Sequence, residues 1–241
     1  MGALFVLIVG LLAGTISGIV GTGSSVMLMP VLIYEYGPKQ AVPIMAIAAV
    51  MANLARILAW WREVDWRACF AYSITGIPAA ALGARTLLAL PSRAVDVAIG
   101  VFLIAMVPMR HFLAHHQLRA KWRHLAIGGA IIGYLTGIVV STGPLSVPLF
   151  LFYGLTKGAF LATEAASSLG LYLSKSATFQ RFGALTPEIA LKGLIAGSSL
   201  MLGAFIAKRF VLRLEPEIFR RVMDAIMLAA GCSMLWTAAT V

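Results

Sequence analysis

The residues of this chain best suited to chemistry are small and hydroxylated, and they fall in two clusters. Gly21-Thr22-Gly23-Ser24-Ser25 interrupts one uncharged apolar block, Met1 to Tyr34, and Ser141-Thr142-Gly143-Pro144, followed by Ser146, interrupts another, Leu125 to Thr156. A break of this kind inside lipid leaves backbone N–H groups that must find a partner, because hydrocarbon offers none. A bound anion is such a partner. The amides point at it, glycine lets the backbone approach it, and the half-helix that restarts after the break adds positive potential. Pro144 suits the first turn of the restarted helix, where a missing N–H costs nothing. The other reading of small residues is close packing between membrane helices. That is the expected role of Gly14, Gly18, Gly133 and Gly137, spaced by four within each half. The hydroxyls and the proline favour a ligand site at the two breaks themselves.

Two cations lie inside apolar stretches at similar positions of the two halves, Arg56 and Lys175. Charge at such depth is costly and marks function, or else the long side chain snorkels to the headgroups. Both readings stand for each cation. Asn53, Arg56 and Trp60 share one helical face, and Glu164, Ser168, Leu171 and Lys175 share another. Asn53, Ser168 and Tyr172 therefore join Arg56 and Lys175 as expected substrate-binding residues, beside Gly21, Thr22, Gly23, Ser24, Ser25, Ser141, Thr142 and Gly143. Glu164 and Lys175 are about 16 Å apart along a helix axis and do not pair directly. Glu164 is the one carboxylate well inside an apolar stretch, which makes it the candidate for proton coupling.

The elements that must hold these residues are membrane helices. The chain has 241 residues, is 61% hydrophobic and 12% charged, and has a mean hydropathy of +0.94; soluble domains are about 25% charged. The apolar runs are continuous, without the alternation of barrel strands, so an all-α polytopic protein is expected. The net charge of +10 lies mostly between apolar runs, where a cytoplasmic-face bias explains it better than nucleic acid does. Four histidines (His111, His115, His116, His124) fall in one basic linker, and no cofactor or metal site is expected. No intramembrane Ser–His pair supports a protease, and no His or acidic cluster supports a metal transporter. Cys69 and Cys232 read as small buried hydrophobes rather than a disulfide. The first apolar run has no basic region before it and is expected to be retained.

The expected spans are Leu4 to Val20 with a short arm from Val26 to Tyr34, Val42 to Trp61, Ala68 to Leu88, Ala94 to Met109, Leu125 to Val140 with an arm from Leu145 to Tyr153, Ala159 to Phe182, Glu188 to Ala207 and Phe219 to Thr237. This gives about eight membrane segments in two homologous halves, 1–109 and 125–241, joined by a basic cytoplasmic linker, 110–124. The halves match in order: Gly14 and Gly18 with Gly133 and Gly137, Thr22-Gly23 with Thr142-Gly143, Pro30 with Pro148, Tyr36-Gly37 with Tyr153-Gly154, and Leu82-Gly83-Ala84 with Leu202-Gly203-Ala204. If the first, broken segment of each half is re-entrant, the halves are inverted; if it crosses completely, they are parallel. With the linker inside, the inverted arrangement places twelve Lys and Arg inside and four outside, whereas the parallel one places seven inside and nine outside. The positive-inside rule therefore favours inversion.

Gly14-Thr15-Ile16-Ser17-Gly18-Ile19-Val20-Gly21-Thr22-Gly23-Ser24-Ser25, closing on Pro30, resembles the first signature of the sulfite exporter TauE/SafE family. Val64-Asp65-Trp66-Arg67, then Gly76 to Arg85 and Leu90-Pro91, resembles its next block, and Thr142-Gly143-Pro144 with Leu202-Gly203-Ala204 resembles the second-half counterparts. Ser24 and Ser25 stand where glycines are common in that family. The resemblance implies a bacterial inner-membrane permease for small anions such as sulfite, sulfoacetate, aryl sulfonates or related organic acids, and a possible homodimer. The resulting expectation is a secondary transporter, an exporter, of a small sulfur oxyanion or organosulfonate bound near the bilayer midplane between the two breaks. Its partners are that anion and the lipid bilayer. The alternatives are a permease for another small organic anion such as a carboxylate, and a non-transporting membrane scaffold subunit.

Overall fold

The computed structural model describes residues 2–20, 24–115, 120–139, 142–155 and 157–210, with single helical positions between 224 and 239. The helices are α1 (Gly2–Val20), α2 (Ser24–Tyr36), α3 (Pro38–Trp60), α4 (Trp66–Ala89), α5 (Ser92–His115), α6 (Trp122–Ile138), α7 (Gly143–Tyr153), α8 (Lys157–Arg181) and α9 (Pro187–Phe210); a 3-10 turn at Trp61–Glu63 joins α3 to α4. No strand occurs among the described residues. Gly21, Thr22, Gly23 and Ser141 lie outside the described residues.

Local chemistry sets several of these ends. Asp65 caps α4 by accepting the Ala68 N–H at 3.1 Å, which ties down an otherwise orphan donor. Proline stands in the first turn of α3 and of α7, where the ring suits the helix start. Gly37, after α2, has φ 75°, and Gly154, after α7, has φ 103°. Both φ values are positive, which glycine adopts without strain, and the two residues close equivalent elements of the two halves. α5 does not stop at Met109 as expected but runs to His115, because nothing between Arg110 and His115 breaks a helix.

The helices pack in pairs that exchange when the halves are exchanged. α1 packs on α9 as α6 packs on α4, α3 on α9 as α8 on α4, and α3 meets its own counterpart α8. The residues in contact give the directions. Gly10 meets Ser199 and Gly18 meets Ala207, so α1 and α9 are parallel; Gly193 meets Ile44 and Gly197 meets Ala48, so α9 and α3 are parallel. Gly129 meets Tyr72 and Gly137 meets Ala80, so α6 and α4 are parallel. Asp65 reaches Thr163 and Ser174 reaches the Ile77 carbonyl, so α4 and α8 are parallel. By contrast, Arg56 near the end of α3 meets Glu164 near the start of α8, while Val42 and Pro43 at the start of α3 line one cavity with Phe179 near the end of α8. α3 and α8 are antiparallel.

The expected packing role of the glycines holds. A Cβ on Gly14 would lie 2.3 Å from the Leu200 carbonyl oxygen, and one on Gly133 would lie 2.4 Å from the Gly76 oxygen. Backbone thus meets backbone at both crossings, which only hydrogen at Cα permits. The outward faces are apolar: Phe70 is 68% and Ile74 74% exposed, and Leu4, Leu12, Ile127, Ile131, Leu191 and Leu202 are exposed with them. Water tolerates no such continuous surface, whereas lipid tails do. Two described helices, Lys39–Glu63 and Pro187–Ala207, are long and apolar enough to cross a membrane by that measure alone. α4 and α8 have the length, at 24 and 25 residues, but give part of their surface to polar contacts with neighbours. Cys69 is buried and Cys232 exposed, both free; the expectation that both are buried is corrected for Cys232.

Gly133→Ala must part α6 from α4, because backbone opposes the new methyl. A cost of about 1–3 kcal/mol is expected for this overpacking, read as a lower melting temperature in detergent. Gly128→Ala, opposed only by the tip of Leu149 at 2.3 Å, is expected to melt close to the parent protein.

Candidate functional site

α3, α7 and α8 bring one charged cluster together. Arg56 Nη1 donates to Glu164 Oε2 at 2.9 Å, and its other terminal nitrogen donates to Asn53 Oδ1. Asn53 is oriented by its own amide, which donates to the Ala49 carbonyl at 2.8 Å. The second carboxylate oxygen, Glu164 Oε1, accepts from Ser146 at 3.1 Å and from Ser168 at 2.9 Å. The pair is buried, Arg56 at 9% and Glu164 at 3% exposure. A buried charge in an apolar bundle requires this: a partner of opposite sign, and hydrogen bonds for the remaining lone pairs.

Lys175 is 1% exposed. Its ammonium donates to the Thr136 carbonyl at 2.7 Å and to the Val139 carbonyl at 2.9 Å, and it lies 5.6 Å from the Phe179 ring centroid. Those carbonyls belong to the final turn of α6, where helix carbonyls lack intrahelical partners and the dipole is negative. Lys175 therefore caps the helix that ends at the second break. Neither Arg56 nor Lys175 snorkels; both turn inward, and the headgroup reading is corrected by their burial.

Hydroxyls link the two charge centres. Thr136 donates to the Ile132 carbonyl at 2.7 Å, and its hydroxyl is bonded to that of Thr142, the residue before α7. One turn into α7, Ser146 lies between the Gly143 carbonyl at 3.2 Å and Glu164. A polar path thus runs from Lys175, past Thr136, Thr142 and Ser146, to Glu164, Arg56 and Asn53. Ser24 and Ser25, at the start of α2, are buried as well. Tyr172 is 7% exposed within the main hydrophobic cluster, which it shares with Phe179. Of the three buried charged side chains among the described residues, two are cations and one is an anion.

Much of the expected site converges here: Asn53, Arg56, Thr142, Gly143, Glu164, Ser168 and Lys175 lie along one path. Sequence reasoning missed the direct partner of each cation. The Arg56–Glu164 pair spans 108 positions, so no local spacing announces it. The available signal was stoichiometric: one intramembrane carboxylate and too few other partners for it. The helix-end carbonyls that hold Lys175, and the roles of Thr136 and Ser146, had no sequence signal beyond residue type. Among the described residues no group of three metal-ligating side chains forms.

The family described as Sulfite exporter TauE/SafE matches residues 6–234. A "probable membrane transporter protein" of Sinorhizobium fredii is 28% identical over 191 residues, covering 72% of this chain and 73% of that protein. Another "probable membrane transporter protein", of Xylella fastidiosa, is 23% identical over 244 residues, covering 94% and 92%. No solved structure matches this chain.

Breaking the buried pair from one side leaves an uncompensated charge. Glu164→Gln is expected to cost about 3–5 kcal/mol. Adding Arg56→Gln to it removes that orphan charge, and a partial recovery of the melting temperature is expected. A double variant that melts no higher than Glu164→Gln alone would show that the two groups are not energetically coupled.

Proposed function

This chain belongs to the sulfite exporter TauE/SafE family and is a membrane transporter rather than an enzyme, and we propose that it is a secondary transporter, an exporter, of a small sulfur oxyanion or organosulfonate. The anion binds near the bilayer midplane between the two breaks. The observation that carries this reading is Lys175: a fully buried ammonium held at the lip of the second break by two carbonyl oxygens. The ammonium sits beside the Thr136–Thr142 hydroxyl pair; the Leu145 and Ser146 amides already donate to the Thr142 carbonyl, so the hydroxyls and the Gly143 amide are the donors left to the anion at this break. A sulfonate has three oxygens for convergent donors, and charge-assisted bonds to it are about twice as strong as neutral ones. Thr22, Ser24 and Ser25, with Gly21 and Gly23, complete the donor set from the first half; Ser141 adds to the second.

Glu164 supplies coupling in this reading. While ionised it holds Arg56, Ser146 and Ser168. Protonated, it becomes a poor partner for a guanidinium, so a proton on Glu164 and the pairing of Arg56 are linked through one side chain.

The proposal includes an inverted repeat of about eight membrane segments, with α1–α2 and α6–α7 as re-entrant pairs. The antiparallel course of α3 and α8 supports it, as does the shared direction of α1 and α3, which requires the chain to turn back through α2. Arg62, Arg67, Lys121, Arg123 and Lys157 gather near helix ends on the face of the linker, which supports a cytoplasmic linker in a bacterial inner membrane. Rocking of one half against the other would expose the site alternately.

Purified protein in proteoliposomes is expected to move a sulfonate or sulfite faster than a matched carboxylate. Lys175→Met is expected to lower that flux by about 10- to 100-fold, the worth of one charged hydrogen bond, and Lys175→Arg to retain part of it. Folded protein that moves no sulfur oxyanion overturns the reading.

A further inference from the structure

A cavity of about 310 Å³ opens between the start of α3 and the ends of α4 and α8, on the face opposite the linker. Its walls include Val42, Leu87, Leu90 and Phe179, Lys39 stands among its lining residues, and no acidic side chain lines it. Phe179 is wholly buried from solvent although it lines the cavity. Behind the ring, at 5.6 Å from its centroid, is the Lys175 ammonium. Ser176 lies one turn deeper along α8, about 4.5 Å by helix rise. Its hydroxyl is buried at 7% exposure and has no hydrogen-bond partner among the described residues. A buried hydroxyl without a partner is costly unless water or a ligand visits it.

The opposite end of the same crevice is filled. The offset that carries Pro38 to Lys157 also carries Arg56 to Lys175 and Trp60 to Phe179. An aromatic ring thus follows each buried cation by one turn. On the linker face the Glu63 carboxylate presses on Gly158, where a Cβ would meet it at 2.4 Å. The Asp65 N–H bonds Thr163 at 2.9 Å, and Trp60 packs into the cluster of Ala68 and Tyr72. Equivalent positions are therefore shut at one face and hollow at the other.

We propose that the cavity is the mouth through which the transported anion passes at the face opposite the linker, and that Phe179 is the gate between that mouth and the Lys175–Ser176 region. This rests on the transport reading above and adds a route and a barrier to it. The occupant is a small organic anion: Lys39 meets its charge at the mouth, Lys175 meets it behind the gate, and the apolar walls suit a hydrocarbon body. The Phe179 ring lines the 310 Å³ cavity and lies 5.6 Å from the buried ammonium, which places it to act as that barrier.

The test reads accessibility rather than flux, so that it fails separately from the transport reading. In a background carrying Cys69→Ser and Cys232→Ala, a Ser176→Cys reporter is exposed to a membrane-impermeant thiosulfonate from each face of reconstituted vesicles. Slow labelling is expected, from the face opposite the linker only. Phe179→Ala is expected to speed it by about 10- to 100-fold, the ratio set by burying one large apolar side chain. Phe179→Leu, which keeps more of the packing, should give an intermediate rate. An Ala184→Cys reporter, at the mouth, should label quickly with or without the ring, which also shows that the variants keep the fold. Ser176→Cys labelling that is independent of residue 179, or equal from both faces, overturns the gate. Gated labelling in a protein that moves no anion would instead overturn the transport reading alone.

Discussion

An ion pair in a medium without water holds the two halves of this molecule in register. Arg56 comes from the first half and Glu164 from the second, and neither is tolerable alone in an apolar bundle, because desolvation costs each several kcal/mol. Their geometry meets the demand: one guanidinium nitrogen on one carboxylate oxygen at 2.9 Å, the other on Asn53, and two serine hydroxyls on the free carboxylate oxygen. Three helices are committed by it. α3 must present Asn53 and Arg56 together, α8 must present Glu164 and Ser168, and α7 must begin close enough for Ser146 to reach in. The position of the second break therefore follows from the pair, since the turn that carries Ser146 is the turn that follows Thr142.

Around that fixed centre, the contacts between halves are built for close approach rather than for interlocking. Gly14 and Gly203 at the α1–α9 crossing, and Gly76, Gly133 and Gly137 at the α4–α6 crossing, let backbone lie on backbone. Small-residue crossings in lipid gain their stability from dispersion and good fit, with no hydrophobic drive between helices. They have few protruding side chains to be pulled from holes when helices shift. Each crossing joins the first helix of one half to the third long helix of the other, so each half grips the other twice through smooth surfaces and once through charge. The division is thus smooth contact where glycines meet and a charged latch where α3 meets α8.

Most of the helix bounds were legible from apolar runs and punctuation. The paired turns at Gly37 and Gly154, the proline starts of α3 and α7, and the packing glycines all come from local rules that a single sequence obeys. The two breaks and the matched cations were legible for the same reason, since residue type and depth can be read along the chain. What was not legible was long-range. Arg56 and Glu164 are 108 positions apart, the carbonyls that hold Lys175 carry no residue signature, and the cavity beside Phe179 is bounded by α3, α4 and α8 together. α5 outran its expected end because hydropathy marks where lipid stops, whereas a helix stops only where its backbone is given a reason.

The two halves also differ in how they hold their buried cations. Arg56 and Lys175 occupy equivalent positions, yet the equivalents of their partners are not alike. Arg56 has a carboxylate, so its charge is cancelled inside the protein whenever Glu164 is ionised. Lys175 is held instead by two carbonyl oxygens at the end of α6 and by the face of the Phe179 ring. Two identical half-sites would bind and release a solute alike at both faces of the membrane. Two half-sites whose buried cations have unlike partners need not.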